Sequence, residues 1–157
     1  MAYIDVITLA DAKLYLRVDD TLTEDDAQIT RMINAALSYV EKYTNVIVFA
    51  RDKEYRLTDG CVRVYDYPIN SEVTADLTAE SKTLYTNYTL GSDNALIELN
   101  VGYVTASDVP AELLEAAFEI IDIYYYGKES GKTMANLSPM SRQGLDQFKR
   151  FSRLSKT

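Results

Sequence analysis

A chain of 157 residues with no histidine and a single cysteine, Cys61, lacks the commonest general base and metal ligand and cannot form an internal disulfide. Serine-histidine and cysteine-histidine nucleophile systems are thereby excluded, and carboxylate-only chemistry has no signature in the sequence. The net charge of −8 is divided unevenly: residues 1–127 carry 9 Lys and Arg against 22 Asp and Glu, whereas residues 128–157 carry 7 against 2, so an acidic body precedes a basic end. At 47% hydrophobic residues the length suits one domain with an appendage. No apolar run approaches the ~20 residues of a membrane span. The opening "MAYIDVITLADAK" has no basic stretch ahead of an apolar one, so the expectation is a protein that works inside a cell or in something assembled there, without membrane or cofactor.

In chain order, "TLADAKLYLRV" predicts a short helix over Thr8–Val18, with Thr8 as cap and Leu9, Ala12 and Leu16 on one face. The acid-rich "DDTLTEDD" lacks the central glycine and closing glutamate of a calcium loop. It predicts Thr23 as the N-cap of a second helix, with acids filling its first turn. That helix, Glu24–Thr44, carries the clearest period in the chain, Ile29, Met32, Ile33, Ala36, Leu37 and Val40. From Val46 to Val104 the period changes to two: "VIVFA" is a short apolar run, "CVRVYDY" alternates, and in "NALIELNVGY" the residues Ala95, Ile97, Leu99, Val101 and Tyr103 share a face. Gly60, Pro68-Ile69-Asn70 and Gly91-Ser92-Asp93 read as turns between about five strands. Pro110 opens a third helix in its first turn and Gly127 is expected to end it.

The segment "GKESGKT" imitates a phosphate-binding loop. Gly127 and Gly131 enclose three residues where such a loop needs four, an acid sits among them, and a helix rather than a strand leads in, so a polar hinge is the expected reading. Beyond it, Met140, Leu145, Phe148, Phe151 and Leu154 recur at helical spacing among Arg142, Lys149, Arg150 and Arg153. Such a stripe either folds back or docks on a partner; docking is favoured here because the hinge is polar and glycine-bearing. The expected class is α+β: a bundle of about three amphipathic core helices, a small antiparallel meander and a C-terminal helical arm, divided as core 1–127 and hinge with arm 128–157.

Two blocks give the chain a resemblance. "ITLADAKLYLRVDDTLTEDDAQITRMINAALSYVEKYTN" and "VGYVTASDVPAELLEAAFEIIDIYYYGKES" are similar, in order and spacing, to the head-tail connector (adaptor) proteins of long-tailed bacteriophages. Gly102-Tyr103, Val109-Pro110, Ala116-Ala117 and Tyr126 with Lys128-Glu129 match the family's second segment, with Lys128 where arginine is usual. The resemblance implies a structural virion protein of the neck, a homo-oligomeric, dodecameric ring beneath the portal that extends the DNA channel and receives a stopper or tail-completion protein. It implies that helices two and three make the subunit bundle, which puts Gln28, Arg31, Asn34, Glu41, Lys42, Glu112, Glu115 and Glu119 forward as subunit contacts. It also implies that a C-terminal segment docks on the portal, here through Met140, Arg142, Leu145, Phe148, Lys149, Arg150, Phe151, Arg153 and Leu154. Genomic DNA would pass without specific binding, since an acidic body weakens the grip on a polyanion. The alternatives are a head-closure or tail-completion protein, a nucleotide hydrolase using "GKESGKT", and a nucleic-acid binder working through the basic tail.

Overall fold

The computed structural model describes residues 2–72, 74, 76–91, 95–131, 133 and 137–150, with the backbone alone for 128–130. A short α1 (Tyr3–Val6) is followed by α2 (Leu9–Leu16), which Thr8 caps as expected: its Oγ1 accepts the Asp11 N–H at 3.1 Å while Asp11 accepts the Thr8 N–H. Helix α3 (Asp26–Thr44) buries its predicted stripe, with Ile29, Ile33, Ala36, Leu37 and Val40 inaccessible and Met32 half-buried. Its first helical residue lies later than the sequence suggests. Asp25 rather than Thr23 takes the cap position, makes no capping bond, and accepts the Tyr125 hydroxyl at 2.7 Å.

The acidic loop before α3 is held by a residue that periodicity gives no reason to single out. Lys13 is 3% exposed; its ammonium donates to the Leu22 carbonyl at 2.7 Å and the Asp20 carbonyl at 3.3 Å, and pairs with Asp26 at 2.5 Å. Asp26 Oδ1 has no aligned hydrogen bond among the described residues, so charge rather than hydrogen-bond geometry holds that pair.

Six strands follow: β1 (Arg51–Arg56), β2 (Cys61–Val64), β3 (Ile69–Glu72), β4 (Thr78–Ser81), β5 (Thr86–Thr89) and β6 (Leu96–Val101). All pair antiparallel, as expected, but in two three-stranded sheets, ordered β1-β6-β3 and β2-β5-β4, rather than in sequence order along one meander. In β6 the predicted face is buried through Ile97, Leu99 and Val101. The apolar run "VIVFA" is not a strand: Val46 makes one parallel bridge to Tyr67, and the run serves as a seam. Val46 and Val48 point into the helical core while Ile47 joins Leu57, Val64, Tyr88, Ile97, Leu99 and Val101 in a second core between the sheets. Strand β3 begins inside the stretch expected to be a turn.

Helix α4 (Ala111–Ser130) opens after Pro110, as expected, and packs against α3 with Leu113, Ala116, Ala117, Ile120 and Ile121 fully buried. It runs past Gly127 and ends at Gly131, whose φ of 68° supplies the left-handed cap. Helix α5 (Pro139–Gln147) then returns along α4 and reaches α3. This corrects the expectation of a separate arm through residue 150: Leu137 and Leu145 belong to the helical core, and Phe148 packs against it. Gly144, which weakens an isolated helix, is here the point of close approach, since a Cβ on it would lie 3.3 Å from the Cβ of Glu112. Burial of Leu145, 1% exposed, outweighs the loss of helix propensity.

Candidate functional site

The phosphate-loop imitation resolves into a helix end. Gly127–Ser130 form the last turn of α4, so their backbone N–H groups belong to a helix C-terminus, where the dipole is negative and repels phosphate. Among the described residues no group of three or more His, Cys, Asp or Glu is placed to hold a metal, and no helix is long and apolar enough to cross a membrane.

The expected docking residues divide into four. Leu145 is inside the protein's own core and the partly buried Phe148 packs against it. Lys149 and Arg150 close a clasp at the C-terminus of α3: the Lys149 ammonium sits 4.3 Å from the Tyr43 ring centre, the Arg150 guanidinium 4.4 Å from that of Tyr67, and the Arg150 N–H donates to the Thr44 carbonyl at 2.9 Å. Asp146 on the same turn accepts the Tyr43 hydroxyl at 2.6 Å. Met140 is 85% exposed and Arg142 is exposed as well, both near the start of α5. Phe151, Arg153 and Leu154 lie outside the described residues.

Of the expected subunit contacts, Gln28, Arg31, Asn34, Lys42, Glu112 and Glu115 are exposed. Two are not. Glu119 places its carboxylate at the start of α5, accepting the Ser138 N–H at 2.6 Å and the Ser138 hydroxyl at 2.8 Å, which anchors that helix by charge as well as hydrogen bonds. Glu41 is 7% exposed and joins three elements. It accepts the Tyr3 hydroxyl (2.6 Å), the Val48 N–H (2.9 Å) and both terminal nitrogens of Arg51 (3.1 and 2.8 Å). Arg51 stacks over Phe49 at 4.6 Å and Tyr3 meets the same ring edge-on at 5.1 Å. Position 41 follows Val40 on the wheel and was expected to face outward; the incoming β1 covers it and supplies its cation.

Burial, then the hydrogen bond to Glu41, pushes the Tyr3 phenol up to about 12. The folded value lies above the unfolded value of 10.0, so the neutral phenol's contribution is complete below pH 10 and is lost as pH rises through 12. In urea titrations the wild type is expected to lose stability relative to Tyr3→Phe between pH 10 and 12, with a constant difference below pH 9. A flat difference across the whole range would show that Tyr3 titrates normally.

Around α4 the surface forms a groove. A hollow of about 540 Å³ lies between Tyr15 of α2 and the start of α5 at Ser138, Met140 and Ser141, floored by Ala111, Glu112, Glu115 and Glu119. A second, of about 410 Å³, continues from Tyr15 and Glu115 to Asp11, Leu14, Leu114 and Phe118. Tyr15 stacks on Phe118 at 5.0 Å, and Leu14 is 78% exposed. Asp11 and the three glutamates are the charges there; among the described lining residues none is Lys or Arg.

Known proteins share parts of this geometry. The model of the family described as phage gp6-like head-tail connector protein matches residues 6–77. The chain is thus similar to those connectors across α2, α3 and the strands up to β3, which includes the first of the two blocks recognised in the sequence. No curated protein matches the sequence. Solved structures extend the likeness to nearly the whole chain. A chain in the virion of a native gene transfer agent (GTA) particle aligns at TM-score 0.75 and 15% identity, covering 99% of this chain and 95% of that one. Chains in the neck of an empty GTA particle computed with C6 symmetry (TM-score 0.73, 15% identity) and in the neck of a native GTA particle computed with C12 symmetry (0.69, 16%) each cover 96% of this chain and 92% of their own. At such identities the shared property is the fold. Over residues 6–77 the chain is thus similar to head-tail connectors, and over nearly its whole length it shares the fold of the GTA particle chains.

Proposed function

We propose that the protein is the adaptor of a phage-like particle: a ring of identical subunits beneath the portal that extends the DNA channel and receives a stopper or tail component. The connector match over residues 6–77, joined to a neck-type fold over 96–99% of the chain, carries this reading. The 12-fold symmetry of one of those necks supports a dodecamer. The acidic body suits a channel that DNA must traverse without being held, because nonspecific DNA binding depends on basic side chains that release counterions. The role is structural rather than catalytic. Because α5 belongs to the core, portal docking narrows to the basic residues after Arg150, with Phe151 and Leu154 as apolar anchors and Arg153 and Lys156 as charges.

The test is co-sedimentation with the portal ring encoded beside it, comparing the full chain with one ending at Arg150. Binding by the full chain, reduced at least tenfold by the truncation, is expected. Equal binding by both would move the docking surface onto the body, and no binding by either would place the protein lower in the neck. A truncation at Gly127 is the wrong control, since it removes Leu137 and Leu145 from the core.

A further inference from the structure

The groove over α4 and the outer side of α3 are complementary, and they face away from each other. Residues 27–40 of α3 contain no acid in a protein of net charge −8, and Arg31 is their single charge. The acids bordering that stretch are turned to other work: Asp25 takes the Tyr125 hydroxyl, Asp26 pairs with Lys13, and Glu41 is buried on Arg51. Outward, Gln28, Arg31, Met32 and Ala35 surround a shallow depression of about 360 Å³ that Tyr124 closes. Tyr124 lies nine residues after Glu115 on α4, which is two and a half turns, so the depression opens on the opposite side of that helix from the groove. Residues 111–127 of α4 carry Glu112, Glu115, Glu119 and Asp122 and no base.

One face is therefore acidic with large protruding apolar side chains, Leu14 and Met140. The other is acid-free, indented and lined by small or neutral residues with one arginine. We infer that the groove over α4 receives the outer side of α3 from a second copy, seating Leu14 and Met140 against the depression and Arg31 among Asp11, Glu112 and Glu115. Two different faces of one chain meeting in this way make a heterologous contact, the kind that closes into a ring when its rotation divides a full turn. The inference rests on the ring reading above and specifies which surfaces meet. A second copy is the occupant because both halves of the complementary pair lie on this chain and point in opposite directions.

The experiment uses particles assembled with the full chain carrying Ala35→Cys and Met140→Cys in a Cys61→Ser background, treated with a short bismaleimide. A ladder of cross-linked species rising to a closed ring is expected, with no ladder from either cysteine alone. Adding Arg31→Glu should reduce incorporation into particles at least tenfold, and Glu115→Arg in the same chain should restore it. Incorporation without cross-linking, or dimers formed by either single cysteine, would overturn this interface while leaving the ring reading intact. Absence of the wild-type chain from purified particles would overturn both.

Discussion

Gly102→Ala is expected to cost about 3–5 kcal/mol, which for a chain of this length lowers Tm by roughly 6–20 °C or leaves the protein insoluble. Two independent penalties meet at this residue. Its φ of 110° is one that side-chain-bearing residues rarely adopt, and a Cβ there would stand 2.2 Å from the Phe49 carbonyl oxygen and 2.8 Å from Ile47 Cγ2. Neither can relax alone. The Gly102 N–H donates to the Pro68 carbonyl at 2.8 Å, its own carbonyl accepts Asn70 Nδ2 at 2.6 Å, and the next residue, Tyr103, donates its N–H to the Ile47 carbonyl and accepts the Ala50 N–H. The obstacle is therefore backbone clamped from both sides, at the seam between the two cores. Gly91→Ala is the control: nothing lies within 4 Å of its Cβ position, and the change should stay within about 0.5 kcal/mol. Thermal melts of the two variants decide it, and similar melting temperatures would mean that the seam shifts freely.

Glu41→Ala should be nearly as damaging, at about 3 kcal/mol, because it strands the Val48 N–H, the Tyr3 hydroxyl and the Arg51 guanidinium together. The figure sits at the low end for a broken buried pair because the Arg51 side chain is 31% exposed and water screens part of its charge. The urea midpoint should fall with the slope unchanged. Arg51→Ala should cost less than Glu41→Ala, and the double variant less than the sum of the two, since the carboxylate and guanidinium are one unit. Strict additivity would show that Glu41 acts through Tyr3 and Val48 alone.

Where a stripe faces a single core, the sequence discloses it. The α3 pattern and the β6 alternation each lie against one apolar layer, so period and burial coincide residue by residue. Strand β1, "RDKEYR", escaped because its side chains are held by charge: Lys53 and Tyr55 both reach the buried Asp66, and Arg51 reaches Glu41. Hydropathy carries no trace of such a strand. The β3 strand was hidden by Pro68, whose turn character ends one residue before pairing starts. Docking was favoured for α5 because a polar hinge argues for detachment, yet what decides its position is Glu119 on another helix and the missing side chain at Gly144. Both are tertiary facts. The exposed members of the proposed contact set lie where the wheel puts them, whereas Leu14 drew no attention and Met140 was read only as part of a docking stripe. Their meaning comes from the groove that they flank.

The return of α5 also sets a schedule for the newly made chain. The helical core is completed by Leu137 and Leu145, near the end of the sequence, so α3 and α4 leave the ribosome with part of their shared apolar surface still uncovered. The outer side of α3 and the floor of the groove can exist before α5 arrives, but Ser138, Met140 and Ser141 cannot line the groove until it does. If the proposed contact forms, a nascent subunit cannot present its finished pair of surfaces until translation has passed the last helix.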